Sequence, residues 1–159
     1  MKKLSAQYKH KGFTLIELLV VIVIIATLAV TVFVALNPAE RISDARDARR
    51  TSDVDSILTA IHQYIVDNGG LVPTGLTTTE QQLGTAGSGC TTTGLCTAMA
   101  AACLNLSSLL APYLVSIPID PNAGTAATTR YSAALNANGI VTVKACGTED
   151  SATPIQSSR

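Results

Sequence analysis

The chain has 159 residues, 47% of them apolar, and no formal net charge, which bounds it at about one domain with enough apolar surface for an ordinary core. The neutrality averages two unlike parts: residues 1–12, MKKLSAQYKHKG, hold Lys2, Lys3, Lys9 and Lys11 and no acid, and the rest carries 7 basic against 11 acidic side chains, a net of −4. The outer basic cluster, Arg41, Arg46, Arg49 and Arg50, is interleaved with acids, so no phosphate-binding surface and no nucleic-acid partner are expected.

From Leu18 to Leu36 the sequence runs nineteen residues without a charge, LLVVIVIIATLAVTVFVAL, with only Thr27 and Thr31 polar. That is long enough to cross a bilayer as a helix. The basic flank precedes the span, so residues 1–12 are expected in the cytoplasm and everything after Leu36 outside. A cleaved secretory signal would place its small-residue site after the apolar run. Here the small residue, Gly12, stands before it and ALNPAERISD follows it, so a cut at Gly12 would leave the span on the mature chain.

One carboxylate, Glu17, sits at the start of this stretch. A charge at the centre of a span costs about 2.5 to 3.5 kcal/mol on insertion scales and less near an interface, and it asks for a partner. Reaching the headgroups is the plain account, since Glu17 lies about 6 Å from the start of the helix. A cut after Gly12 offers another: Phe13 would gain an ammonium in the same layer. Paired between molecules, amine and carboxylate make a heterologous contact that builds an open filament, with an axial step of the order of 5 to 10 Å from their one-turn separation.

Pro38 follows Asn37 at the outer end of the span and either starts a new helix or kinks a continuous one. From Glu40 to Asp55 acids and arginines are mixed, with Arg41 and Asp44, Asp47 and Arg50, and Arg49 and Asp53 spaced to meet on a solvated helix face. Val54, Ile57, Leu58, Ile61, Tyr64 and Ile65 then form an apolar stripe, and DNGG, residues 67–70, supplies a C-cap. The helix, or near-continuous pair of helices, is expected from about Thr14 to Asp67, roughly 80 Å long if unbroken.

Residues 73–97, with nine threonines and five glycines, read as a long exposed loop. A short helix is expected from about Ala98 to Leu110, and SIPIDPNAG, residues 116–124, is extended and turn-rich. Tyr131, Ala133 and Leu135 alternate, Asn138-Gly139 turns, and Val141, Val143 and Ala145 alternate again, a hairpin signal. A small antiparallel sheet would then cover the helical stripe, and the polar tail after Cys146 is expected to be loose. The fold class is α+β: residues 1–12 a cytoplasmic leader, 13–36 a transmembrane or filament-core helix, 37–70 its amphipathic continuation, 71–159 an extracellular loop, short helix and sheet.

Cys90, Cys96, Cys103 and Cys146 all fall on the exported side, where an even count favours two disulfides with three pairings open. Their spacing is not of the C-x-x-C metal type and no histidine is near. Thr148, Glu149, Asp150 and Ser151 offer oxygens suited to calcium, against a solvated-tail reading. Asn105-Leu106-Ser107 matches the N-glycosylation sequon. His62, beside Ile61, reads as a surface or partly packed histidine. With no G-x-S-x-G, no Gly-rich phosphate loop and no paired His ligands, neither an enzyme nor a cofactor or metal is expected.

KGFTLIELLVVIVIIATLAV, residues 11–30, closely resembles the N-terminal signature of type IV pilins and the pseudopilins of type II secretion, which joins a basic leader, a Gly-Phe junction, Glu17 and an uninterrupted apolar helix. AIHQYIVDNGGLVPT and LAPYLVSIPIDP are similar to the helix end and the Pro-Ile-Asp-Pro segment of the pilin and major-pseudopilin group, in which a long N-terminal helix packs on a small antiparallel sheet. The resemblance implies that a membrane prepilin peptidase cuts between Gly12 and Phe13, that the Phe13 amine is methylated, and that Glu17 engages the N-terminus of a neighbouring subunit. It also implies a lipid bilayer, identical or related pilin subunits and inner-membrane assembly machinery as partners: the chain would be a single-pass precursor in the inner membrane and then part of an extracellular filament. The Thr/Gly loop and the four cysteines depart from the compact major-pseudopilin pattern, and GTEDSATPIQ does not clearly match that group's calcium-binding loop. A structural pilus-like subunit leads; a pseudopilin of a secretion or DNA-uptake machine and a single-pass anchored binding module, with the loop around Cys90 to Cys103 as its recognition surface, are the alternatives.

Overall fold

The computed structural model describes residues 12–91, 94–96 and 100–159; most of the expected leader, with His10, and the expected helix start at Ala98 lie outside them. The chain divides into two compact units, one ending at Arg41 and one running from Ile42 to Arg159.

The first unit is built on helix α1, Leu15–Leu36, none of whose residues is buried. Its two polar side chains past Glu17 turn inward on their own helix: Thr27 Oγ1 donates to the Ile24 carbonyl at 2.9 Å and Thr31 Oγ1 to the Leu28 carbonyl at 2.8 Å. Both hydroxyls are thus satisfied without water, as a hydrocarbon environment demands. It is a helix long and apolar enough to span a membrane. The helix does not run on unbroken to Asp67: Asn37 takes the left-handed region at φ 38° and ψ 74°, and Pro38, with no N–H to satisfy, opens helix α2, Pro38–Asp67. Asn37 Nδ2 donates to Glu40 Oε2 at 2.8 Å. Asparagine is one of the few residues that enters the left-handed region at small cost.

In the second unit α2 buries Arg50, Val54, Ile57, Leu58, Ala60 and Ile61. The expected apolar stripe joins one core cluster with Leu83, Leu106 and Leu110 and with Tyr131, Ala133, Val141, Val143 and Ala145 of the sheet. Each fully buried Val, Leu or Ile contributes about 1.5 to 3 kcal/mol. Past Asp67 the chain turns with Gly69 at φ 67° and Gly70 at φ 95°, and Gly70 N donates to Ile65 O at 2.8 Å, the C-cap that DNGG encodes.

The sheet is antiparallel with strand order β1-β2-β3-β4: β1 Gln81–Gln82, β2 Tyr131–Leu135, β3 Val141–Ala145 and β4 Ile155–Ser158. The hairpin pairs Tyr131 with Ala145 and Leu135 with Val141, as the alternation and Asn138-Gly139 dictate. Two strands depart from the sequence expectation. β1 lies inside the threonine-rich stretch, which is anchored rather than freely exposed: Leu76 and Leu83 are buried, Leu83 N donates to Tyr131 O at 2.7 Å, and a Cβ at Gly84 would collide with the Ala127 carbonyl. β4 lies in the tail expected to be loose. The short helix α3 covers only Ser107–Leu110, because residues 100–106 spend their backbone groups on other segments, Leu104 N donating to Gln82 O and Cys103 N to Ala86 O.

Candidate functional site

The N-terminal site is carried on the first turn of α1. Gly12 and Phe13 are exposed, Phe13 at 85%, and a Cβ at Gly12 would meet no neighbour within 4 Å. Thr14 is the N-cap of α1 and closes a reciprocal capping box with Glu17. Glu17 N donates to Thr14 Oγ1 at 3.2 Å, while Thr14 N and Thr14 Oγ1 donate to Glu17 Oε2 at 2.9 and 2.8 Å. The single chain therefore already supplies the Glu17 carboxylate with two donors. The signal lay in the sequence as Thr14-Leu15-Ile16-Glu17, a T-x-x-E immediately before an apolar run, and reading Glu17 only as a charge in search of a remote partner passes over it. In the uncut chain the Phe13 nitrogen is an amide within one turn of this carboxylate.

The second unit holds a buried ionic hub. Arg50 is fully buried and its guanidinium meets three carboxylates: Nε to Asp120 Oδ2 at 2.7 Å and Nη2 to Asp120 Oδ1 at 3.1 Å, Nη1 to Asp47 Oδ1 at 2.6 Å, and Nη2 to Glu149 Oε1 at 2.9 Å. Burial alone would push the Arg50 guanidinium down, but its hydrogen bonds to Asp120, Asp47 and Glu149 outweigh this and hold it above its ordinary range. Burial would likewise raise Asp120, and Arg50 with the N–H groups of Asn122 and Ala123 brings it below the usual carboxylate value. Asp47 follows the same pattern, lowered against burial by the Asp150 N–H, Arg50 and the Glu149 N–H. Arg46 adds a 3.1 Å pair to Glu149, and Ser43 donates to Asp150 at 2.9 Å.

This hub corrects the solvated-face reading of the α2 charges. Asp47–Arg50 and Arg49–Asp53 do pair within the helix, but Arg50 is interior. Its position was legible, since stepping back four residues from Val54 extends the apolar stripe onto Arg50; its remote partners, 70 and 99 residues on, leave no local signal. The tail oxygens considered for calcium, those of Glu149 and Asp150, face arginine and serine, and among the described residues no group of three or more His, Cys, Asp or Glu is arranged to hold a metal. Cys90 is joined to Cys103 and Cys96 to Cys146, so the tail leaves β3 through a disulfide and then enters the hub. Tyr131 Oη donates to Asp53 at 2.8 Å, and burial, then this bond, pushes the phenol well above its ordinary value. His62 is half-buried, with Nδ1 2.9 Å from Leu58 O and Nε2 3.2 Å from Arg159 O. Asn105 is exposed, and its Oδ1 accepts from Ser107 N.

Residues 8–33 match the prokaryotic N-terminal methylation motif, the prepilin-type signature of type IV pilins and pseudopilins. No curated protein and no solved structure matches the chain at a significant level. The motif supports a type IV pilin-like or pseudopilin precursor. The apolar helix that carries it is consistent with a membrane-anchored precursor.

Proposed function

We propose that the chain is a structural subunit of a type IV pilus-like extracellular filament. It is inserted in the inner membrane as a single-pass precursor, cut between Gly12 and Phe13 by a prepilin peptidase, methylated on the Phe13 amine, and assembled with identical or related subunits through α1. Assembly draws the span from lipid into a bundle of like helices. The observation that carries this reading is α1 itself, 22 residues with no buried side chain, most of which lie inside the methylation motif at residues 8–33: so much apolar surface needs lipid or other helices to cover it.

Chemistry assigns the steps. Cutting after Gly12 turns an amide into an ammonium one turn from the Glu17 carboxylate, which then exchanges the Thr14 donors for a neighbour's amine. The two cystines fix the exported loop and tail in an oxidising compartment. The test is mass spectrometry of the N-terminus of protein sheared from cell surfaces: a methylated Phe13 is expected, and residues 1–12 still attached to surface-recovered protein overturn the proposal. An intact N-terminus confined to membranes would favour the anchored binding module instead.

A further inference from the structure

Two of the asparagines, Asn68 and Asn138, precede glycine. In such a pair the glycine nitrogen attacks the asparagine Cγ, unhindered by a Cβ on the glycine. The new N–C bond closes a five-membered succinimide and the Cγ–Nδ2 bond breaks, releasing ammonia. One water then opens the ring at either carbonyl, giving aspartate or isoaspartate, so asparagine plus water becomes an acid plus ammonia with no redox change. Both glycines are equally open, since a Cβ at Gly69 or Gly139 would meet nothing within 4 Å. The difference lies in what holds each carboxamide.

Asn68 is tethered. Its Nδ2 donates to Tyr64 O at 2.8 Å and its own N–H to the same carbonyl at 3.0 Å, so the carboxamide is tied to the last turn of α2 and is not free to swing its Cγ onto the Gly69 nitrogen. Freeing it undoes the cap that Gly69 and Gly70 complete. The product is disfavoured as well, because a carboxylate there opposes the negative end of the helix dipole and leaves the Tyr64 carbonyl without its side-chain donor.

Asn138 has no such restraint. Residues 136–140 are all exposed, and among the described residues the Asn138 carboxamide makes no hydrogen bond. What engages the pair is backbone only: Gly139 N donates to Asn136 O at 3.1 Å and Asn138 N to Asn136 Oδ1 at 2.9 Å. Opening this turn releases no buried surface, so it belongs to the low-cost end of local fluctuations.

We propose that Asn138-Gly139 is a site of spontaneous deamidation in the folded protein, and that the end of α2 protects the identical Asn68-Gly69 pair. Each conversion adds one negative charge at the tip of the β2–β3 hairpin. In the isoaspartate branch it also adds a methylene to the backbone beside Asn136 Oδ1, which accepts from both Asn138 N and Ile140 N, loosening the turn next to the Leu135–Val141 pair.

The test is incubation of the full-length protein in detergent, at mildly alkaline pH in heavy-oxygen water, with digestion and mass spectrometry of both peptides over time. The same incubation on denatured, reduced chain gives the reference. In the denatured chain the two sites should convert at similar rates. In the folded protein Asn138 should continue and Asn68 should slow roughly tenfold or more relative to it. Equal rates in the folded protein, faster conversion at Asn68, or arrest at both sites while the denatured chain reacts would each overturn the proposal.

Discussion

Thr14 and Glu17 satisfy each other across the first turn of α1: the threonine gives the carboxylate an N–H at 2.9 Å and an O–H at 2.8 Å and takes the Glu17 N–H in return. A carboxylate can wait in a membrane in this form and still be released, because the donors that hold it are neutral and an ammonium makes a stronger charge-assisted bond.

Replacing Glu17 by valine should therefore leave membrane insertion unchanged and cut filament yield severely. Thr14→Ser should keep both properties, since it retains the hydroxyl, whereas Thr14→Ala weakens the helix start by about 1 kcal/mol. The measurement is subunit in the membrane fraction against subunit in sheared filaments. Normal yield from Glu17→Val removes charge pairing from the assembly account.

Removing the Arg50 side chain leaves Asp120 buried beside Asp47 and Glu149 with no cation between them. Arg50→Ala should cost about 3 to 5 kcal/mol, whereas Arg49→Ala, whose side chain is 60% exposed and 3.7 Å from Asp53, should cost well under 1 kcal/mol. Chemical denaturation of the two variants in detergent separates these outcomes.

Acid should open the same hub. Asp47 and Asp120 are held below their ordinary values, so the stability they contribute is fully present above the unfolded carboxylate value of about 3.9 and is lost as pH falls through their folded values. Loss of stability should begin near pH 4 and steepen below it. In Asp120→Asn this acid-dependent component should shrink, read as the slope of unfolding free energy against pH.

The two disulfides should differ in worth. Cys96–Cys146 spans 50 residues and Cys90–Cys103 spans 13; loop-closure entropy gives about 4 and about 3 kcal/mol respectively. Cys146→Ser with Cys96→Ser should thus lower the melting temperature more than Cys90→Ser with Cys103→Ser, by calorimetry under non-reducing conditions.

Legibility in the sequence followed the range of the interactions. The apolar run of α1, the stripe from Val54 to Ile65, the DNGG cap and the β2–β3 hairpin are each written in a few consecutive residues, and each forms where its local pattern places it. β1 and β4 were missed because Gln81–Gln82 and Ile155–Ser158 have no alternation of their own; they are strands only because β2 and β3 offer edges to pair with. The place of Arg50 on the buried stripe follows from the spacing, but what neutralises it there does not, because two of its carboxylates come from distant loops and periodicity cannot count those. At the N-terminus the Gly12-Phe13 junction and Glu17 stood out, while Thr14 did not, although its capping pattern is local and readable.

The inward-turned hydroxyls of Thr27 and Thr31 have a further effect. With both donors spent on carbonyls one turn back, α1 presents hydrocarbon at every azimuth between Glu17 and Asn37. In the proposed filament, a neighbour packed against it would receive one instruction about height, from a single charge at one end, and almost none about rotation. In that filament, the angular register of a bundle built from such helices would then have to come from the parts that carry distinct faces, beginning with α2.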